Sequence, residues 1–458
     1  MSEWIEAELA ESQMRDLRHA KRLAHLLERF SEQTVSSIPR ACYGWAETMA
    51  AYRFVDNARV SCKEILSGHQ RATQARVQAQ AVVLLVQDTT FLNYGTLHPR
   101  EGVGTVKERL REEYLLHLTV AFTPERVNLG VLGLRMWQRP EEPVAHERAR
   151  KPIEEKESYR WLEGYQLACE MQQHCPETLV VNVADREGDI QECFLEAMNR
   201  EAADRAEFII RAKCNRRLTT GHDQEYLWPA MQKTRPLGHL TVEVARQRER
   251  APRQATLTVA ARQVTFTGAR RCGGRLPPVA VTVIYAKERR PPQGEEPVEW
   301  LLLTSLPVED FPSACTVVQW YRARWEIELF FRVLKQGCQI ERLRLATAHR
   351  LLNAIAIYLI IAWRIHIITM MGRAYPEVSC EVVFAPQEWQ AIYTMQYRRR
   401  PPQESPPLRE IVHCLARLGG FLARRGDGEP GVQTIWQGYQ RLHDFLYALE
   451  THHTVNAC

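Results

Sequence analysis

Closely spaced cysteine pairs are missing from this chain, although 12 of its 458 residues are cysteine. The nearest two, Cys169 and Cys175, are six positions apart and no C-x-x-C occurs, so the sequence contains no recognisable zinc or redox motif. Residues 1–11 are acidic and amphipathic and so differ from a secretory signal peptide, which is basic and then apolar. Unpatterned thiols without a signal peptide predict a reducing, cytoplasmic location.

The chain also lacks a long apolar run and a strong excess of one charge. Its most apolar stretch, 351–371, contains Asn353, Arg364 and His366. We expect a buried helix there, because the uninterrupted part is too short to cross a bilayer. The net charge of +5 is too small to mark a nucleic-acid-binding protein by itself. Arginine is concentrated in 241–280, with eight Arg against two Glu, which is typical of a solvated face or of a phosphate-binding surface.

The composition, 45% hydrophobic and 25% charged, excludes collagen-like, fibrous and disordered proteins and predicts about three globular domains. Helical spacing of apolar residues gives way near residue 80 to buried strands that alternate with helices, which predicts an α/β architecture with a mixed sheet. The composition shifts near residue 219, and runs within 240–287 alternate apolar and polar residues, so we expect a β-rich insertion at about 219–298. The predicted divisions are a helical domain at 1–80, an α/β domain at 81–372 and a helical domain at 373–458.

Two aspartates follow buried strands. Asp88 comes at the end of one apolar run, and Asp185 directly follows the run Val180–Ala184. Sites in open α/β sheets lie outside the strand ends, although a single aspartate at such a place is more often a turn residue or a helix cap. Glu187 and Asp189 compete with Asp185, which we prefer because it adjoins the strand.

A polar stripe follows in the next informative segment. If residues 321–335 form one helix of more than three turns, Tyr321, Arg324, Glu328 and Lys335 share a stripe about 60° wide. A solvated face with Glu–Arg and Glu–Lys pairs is the alternative interpretation. The functional interpretation has Glu328 join the two aspartates, and three such carboxylates would bind two Mg²⁺ ions about 4 Å apart. The cationic side chains of the stripe would then neutralise phosphate oxygens.

The spacing Tyr321-x2-Arg324-x3-Glu328-x6-Lys335 resembles the Y-R-E-K signature of bacterial insertion-sequence transposases of the IS4 group, close to the Tn5 transposase. Six further motifs extend the resemblance along nearly the whole chain: Ala51–Asn57, Asp88–Thr90, Asp185–Asp189, Phe208–Lys213, Trp300–Ser305 and Ala416–Phe421. The resemblance implies an RNase H-like core with a β-rich insertion before the glutamate helix. It also implies a helical N-terminal DNA-binding domain and a helical C-terminal dimerisation domain.

By this resemblance Asp88, Asp185 and Glu328 are the catalytic and metal-binding residues, with two Mg²⁺ ions that Mn²⁺ can replace. The positions that the resemblance assigns to DNA contact are Tyr321, Arg324, Lys335, Trp300, Arg211, Lys213, Arg344, Arg22 and Arg53. Trp300 would stack on a flipped base, and a core tryptophan on a buried strand is the alternative. The match around Arg22 is loose, because Arg15–Arg18 replaces a glycine-led version of the local motif.

The implied activity is cut-and-paste DNA transposition with a hairpin intermediate. The implied partners are double-stranded DNA with terminal inverted repeats, target DNA and a second copy of the chain. One alternative is a catalytically silent DNA-binding regulator derived from such an element. The intact triad Asp88, Asp185 and Glu328 and the intact N-terminal region argue against this alternative. The other is a plain metal-dependent nuclease, which would leave the first and last domains without a function.

Overall fold

A nine-stranded sheet lies at the centre of the protein. The computed structural model of the chain describes residues 2–33, 37–95, 113–139, 151–219, 225–244, 252–271 and 274–456. Numbered along the chain, the strands are β1 (Val82–Asn93), β2 (Glu113–Phe122), β3 (Asn128–Trp137), β4 (Leu179–Ala184), β5 (Glu207–Arg211), β6 (Gly238–Val244), β7 (Arg253–Phe266), β8 (Arg270–Arg271), β9 (Gly274–Arg275), β10 (Val279–Glu288) and β11 (Glu299–Thr304). The large sheet has the order β3-β2-β1-β4-β5-β11-β10-β7-β6, and β8 pairs with β9 in a separate ribbon.

The first five strands form one side of this sheet. β1 pairs antiparallel with β2, and β2 with β3, whereas β4 runs parallel to β1 and β5 parallel to β4. The continuous apolar run Val83–Val86 is fully buried, as expected for a strand covered on both faces. The predicted mixed α/β architecture is therefore confirmed.

The insertion widens the same sheet. β11 pairs antiparallel with β5, and β10, β7 and β6 follow it outwards, each antiparallel to its neighbour. The period-two alternation in this part of the sequence fits strands with one buried and one more exposed face, as the burial pattern of β7 shows.

Helices cover both faces of the sheet and form the two ends of the chain. They are α1 (Glu3–Leu9), α2 (Leu17–Glu32), α3 (Ile38–Ala41), α4 (Trp45–Asp56), α5 (Cys62–Gln78), α6 (Tyr159–His174), α7 (Gln191–Asn199), α8 (Leu227–Lys233), α9 (Phe311–Arg322), α10 (Trp325–Arg332), α11 (Ala348–Ala374), α12 (Pro386–Tyr397), α13 (Leu408–Leu418) and α14 (Val432–Asn456). The N-terminal helices contact β3 and α11, and α13 and α14 pack on α11 from the other end. α11 is thus the common core element.

α11 is the helix predicted to be buried. It is long and apolar enough to cross a membrane, but 89% of its most apolar window is buried inside the protein. Arg364 and His366 are buried with it. Arg364 donates to the carbonyl of Val383, and the ring of His366 packs edge-on against Phe122 and Phe330.

The prediction of one continuous helix from Tyr321 to Lys335 is wrong. α9 ends at Arg322 and α10 begins at Trp325, because the amides of Ala323 and Arg324 bond to carbonyls three residues back, which tightens the turn. After α10 the chain widens into a π-turn at Val333–Gly337. The four stripe residues therefore do not form one straight row.

The predicted strand end at Asp88 is also wrong. β1 continues to Asn93, because β2 keeps pairing with it as far as the register pair Asn93↔Glu113. Its pairing with β4 stops earlier, at Val86↔Val183. Asp88 therefore lies where β1 loses one of its two neighbours, and that loss opens the edge at which a ligand can approach.

Candidate active site beside two parallel strands

The two aspartates are brought side by side by strand register. Val86 pairs with Val183 in the parallel β1–β4 ladder, and Asp88 and Asp185 each lie two residues further on. Because side chains alternate along a strand and neighbouring strands are about 4.8 Å apart, both carboxylates project from the same face. Asp185 also caps the following turn by accepting the Glu187 amide at 2.7 Å.

Glu328 comes to this face from α10, which packs on β1. Arg324 connects it to the strand: one guanidinium nitrogen lies 3.1 Å from Oδ2 of Asp88 and another lies 2.6 Å from Oε1 of Glu328. The Arg324 side chain is 11% exposed, whereas that of Glu328 is 49% exposed. The guanidinium also lies 4.7 Å from the centre of the Trp325 ring, so it contacts both carboxylates and an aromatic ring.

The electrostatics show that the three carboxylates share one environment. Burial raises the pKa of Asp88 to about 6. Arg324 and the Thr89 amide oppose this increase, whereas the negative charges of Asp185 and Glu328 add to it. One arginine therefore does not balance the negative charge that converges here, and a cation would be stabilised at this position.

The donor chemistry fits a hard divalent cation, which prefers carboxylate oxygens. Among the described residues, no three His, Cys, Asp or Glu side chains stand close enough together to hold a metal ion as they are. At this site Arg324 explains why, since its guanidinium occupies oxygens of both Asp88 and Glu328. A cation that replaced the guanidinium would meet the same oxygens.

Lys335 and Tyr321 border the site on different sides. Lys335 reaches back from the π-turn to donate to the carbonyl of Phe91 on β1, and burial lowers the pKa of its ammonium. Tyr321 is fully buried. Burial raises its pKa, and the nearby cations Arg324 and Arg211 oppose this. Arg211 in turn donates to the carbonyl of Glu299 at 3.0 Å.

Trp300 lies next to the site but is only 8% exposed. Its ring packs on Tyr321 and Trp325 with centroid separations of 6.2 and 6.0 Å. Trp325, which the sequence reasoning did not single out, is 39% exposed. Its place between Arg324 and Glu328 in the Y-R-E-K segment was the available signal. Base stacking by Trp300 stays a prediction, and it requires this aromatic cluster to open.

The remaining predicted DNA contacts lie further out. Arg344 is exposed and donates to the carbonyl of Tyr94, beyond the end of β1, at 3.4 Å. Lys213 is exposed just beyond β5. Arg22 and Arg53 lie on α2 and α4 of the N-terminal helices, and no described contact joins them to the carboxylates.

The competing carboxylates are engaged elsewhere. Asp189 is 7% exposed, pairs with Arg216 at 2.8 Å and accepts the amides of Lys213 and Cys214. Glu187 pairs with Arg160. These contacts favour Asp185 as the second site carboxylate, which stays a prediction.

Comparison with protein families supplies the class. The family model described as Transposase DDE domain matches residues 145–364, and Transposase DNA-binding matches residues 1–60. Both descriptions are of transposase domains, and the second is a DNA-binding domain. Residues 360–453 match the family Transposase Tn5 dimerisation domain.

These three matches follow one another along the chain, and the protein belongs to the IS4-like, Tn5-type DDE transposases. Its partner is DNA, its C-terminal region is a dimerisation region, and its family generally uses divalent metal ions. Asp88 lies outside the matched DDE segment, so its assignment depends on the register and electrostatics described above.

Proposed function

We propose that the protein catalyses cut-and-paste DNA transposition at a site built from Asp88, Asp185 and Glu328. The observation that carries this proposal is the convergence of the three carboxylates with Arg324. Register places the aspartates together, Arg324 joins Asp88 to Glu328, and the charges of Asp185 and Glu328 both act on Asp88. Strand nicking, hairpin formation and strand transfer are each an in-line attack at phosphorus, so one such site serves all three steps.

The carboxylates would hold two Mg²⁺ ions, for which Mn²⁺ can substitute. When bound, these ions would lower the pKa of an attacking water or 3′-hydroxyl and neutralise charge that develops on the phosphate. Asp88 contributes its charge only once it is deprotonated, which its raised pKa of about 6 allows near neutral pH.

Arg324 has two roles in this proposal. Without a cation it partly neutralises Asp88 and Glu328. If those oxygens held a cation, the Arg324 guanidinium would be free to contact a DNA phosphate, for which its planar fork is well suited. Lys335, whose ammonium donates to the Phe91 carbonyl, would contact a neighbouring phosphate. Tyr321 would support the side chain of Arg324.

The proposed hairpin intermediate bends the terminal strand sharply, and Trp300 would stabilise the base that flips out. Truncation of a stacking aromatic typically costs about 1–3 kcal/mol per base. We expect Trp300→Ala to impair hairpin formation and opening more than the first nick, measured on denaturing gels. Equal loss of all three steps would remove this role.

The proposed DNA substrate has terminal inverted repeats, bound through the N-terminal helices with Arg22 and Arg53. Arg211, Lys213 and Arg344 would contact the backbone near the cut. Two copies of the chain would join in a synaptic complex through the C-terminal region. The protein would act in the cytoplasm, on the nucleoid.

The test is Mg²⁺-dependent cleavage of DNA that carries the sequences flanking the protein's own gene, with Asp88→Ala as the matched variant. Nicks and hairpins at one defined end, absent with the variant, are the expected result. Specific binding without cleavage would indicate the silent regulator. Cleavage anywhere along the DNA would indicate a plain nuclease.

A further inference from the structure

A series of hydrogen-bonded polar side chains, all buried except the half-buried Thr89, lies on the opposite face of the sheet from the carboxylates. Gln87 and Thr89 flank Asp88 in β1, and alternation along the strand turns them towards α6. His117 lies opposite Thr89 in the β1–β2 ladder. Asn182, from β4, lies on the same face. The residues on either side of Asp88 thus contact both neighbouring strands.

The direction of each hydrogen bond in this chain follows from its donors and acceptors. The Nε–H of Arg160 donates to Thr89 Oγ1 at 3.1 Å. Oε1 of Gln87 is an acceptor and lies 3.2 Å from Nε2 of His117, so a neutral His117 carries its proton on Nε2. Nδ1 of His117 then accepts from the Thr89 hydroxyl at 2.9 Å. The Gln87 amide donates to Oδ1 of Asn182.

The histidine must be neutral for this arrangement to hold. Burial, followed by the positive charges of Arg160 and Arg135, lowers the pKa of His117 to about 3. Trp161 closes the site from α6, with its ring edge-on to His117 at a centroid separation of 4.8 Å. Gly164 lets α6 approach this closely, since any side chain there would collide with the Gln87 amide.

The other end of this series of hydrogen bonds reaches Asp185. The Arg160 side chain is 5% exposed and also donates to the Glu157 carbonyl at 2.7 Å and to the Glu187 carboxylate. The amide of Glu187 is the group that Asp185 accepts at 2.7 Å. Arg160 therefore fixes the turn that orients Asp185, while its bond to Thr89 fixes the strand that carries Asp88.

We infer that Arg160 and the Thr89–His117–Gln87–Asn182 chain are positioning residues that set the relative placement of Asp88 and Asp185 and thereby the divalent-cation affinity of the site. The inference rests on the proposed function, because it takes these two carboxylates as the cation ligands. Outer residues that orient metal ligands typically change metal affinity by about 10–100-fold when they are replaced.

Thr89→Val is the most informative variant, because it keeps the shape of the side chain and removes only the hydroxyl that links Arg160 to His117. Arg160→Met removes both the Thr89 and the Glu187 contacts, and Arg160→Lys restores the charge without the fork. Arg200→Met is the matched control. Arg200 also pairs with a glutamate, Glu196 on α7 at 2.7 Å, but it takes no part in this series of hydrogen bonds.

The measurement is Mn²⁺ binding to the full chain by electron paramagnetic resonance, with and without DNA, alongside cleavage at increasing Mg²⁺. We expect about tenfold weaker Mn²⁺ binding for Thr89→Val and about 10–100-fold for Arg160→Met, with Arg160→Lys between wild type and Arg160→Met. Excess Mg²⁺ should restore most of the cleavage by Thr89→Val, which a general loss of folding would not allow. Arg200→Met should match wild type.

Wild-type Mn²⁺ affinity in Thr89→Val would overturn the inference, even if Arg160→Met failed to fold. A lower cleavage rate at saturating Mg²⁺ with unchanged Mn²⁺ affinity would also overturn it. If the wild type neither binds Mn²⁺ nor cleaves DNA, the proposed function fails instead. The two failures are therefore distinguishable.

Discussion

Two clusters of charged side chains in this protein each join carboxylate to arginine and behave in opposite ways. In the first, Glu8 of α1 is 2% exposed and contacts His69 and Arg76 of α5 at 2.5 Å each. His69 also accepts the Val131 amide at 3.0 Å, which joins the N-terminal helices to β3. Although burial alone would raise the pKa of Glu8, these partners lower it.

The second cluster is the carboxylate site. There burial and the charges of Asp185 and Glu328 raise the pKa of Asp88 despite the presence of Arg324. The first cluster has its charge balanced by permanent partners, as expected of a structural contact. The second keeps an excess of negative charge, which is typical of a site completed by a ligand. The comparison predicts that the first cluster governs stability and the second governs activity.

The largest expected effect comes from removing a carboxylate from the second cluster. Glu328→Gln should lower the rate of Mg²⁺-dependent strand cleavage by at least about 10³-fold, because cation stabilisation of the reacting phosphate is worth several kcal/mol. Gel assays of cleavage and urea unfolding of the same variant provide the measurement. A variant that cleaves DNA at the wild-type rate would show that the second cluster does not govern activity.

Removing the carboxylate of the first cluster should destabilise the protein without changing the chemistry. Glu8→Ala leaves His69 and Arg76 uncompensated, and breaking a buried pair in this way typically costs about 3–5 kcal/mol. Urea unfolding measures the loss, and cleavage per folded molecule should remain within about twofold of wild type. A loss of stability below about 1 kcal/mol would mean that Glu8 is not a structural centre.

The pH dependence of stability also distinguishes the second cluster from the first. The folded-state pKa of Asp88, about 6, lies above its ordinary value of 3.8. Protonated Asp88 therefore favours the fold below about pH 4, and this contribution is lost as the pH rises through about 6. The shift of about two units corresponds to about 3 kcal/mol.

Metal-free Asp88→Asn should consequently be more stable than metal-free wild type near neutral pH, by up to about 3 kcal/mol. The advantage should disappear towards pH 4. Thermal unfolding in a chelating buffer measures the difference. A constant difference across this range would show that Asp88 does not carry the excess charge.

The smallest effect is expected at a pair that belongs to neither cluster. Glu196 of α7 and Arg200, the residue that directly follows this helix, are 27% and 25% exposed and are four residues apart. Glu196→Ala should cost only about 0.3–0.5 kcal/mol in urea unfolding and leave cleavage unchanged. A cost comparable to that of Glu8→Ala would mean that burial does not explain the first cluster.

The sequence indicates the carboxylates because they accompany recognisable patterns. Asp185 follows a buried strand, and Glu328 stands in the Y-R-E-K spacing. The helix break at Ala323 is not predictable in this way, because no proline or glycine marks it and its backbone angles remain helical. The sequence alone does not decide whether Trp300 is buried, because its burial depends on two aromatic residues, Tyr321 and Trp325, from helices that follow it.

The contacts among the proposed positioning residues also cannot be predicted from the sequence. Arg160 and Thr89 are 71 positions apart, and Gln87 and Asn182 are 95 apart. Only strand pairing and the close approach of α6 bring them together. Local periodicity carries no information on contacts of this range.

The most direct test of the account is Mn²⁺ binding to four variants of the full chain, Asp88→Asn, Asp185→Asn, Glu328→Gln and Glu8→Gln. If the three carboxylates form one cation site, each of the first three replacements abolishes tight binding, and Glu8→Gln retains wild-type affinity at temperatures where it is folded. Tight binding that survives all three site replacements would contradict the account.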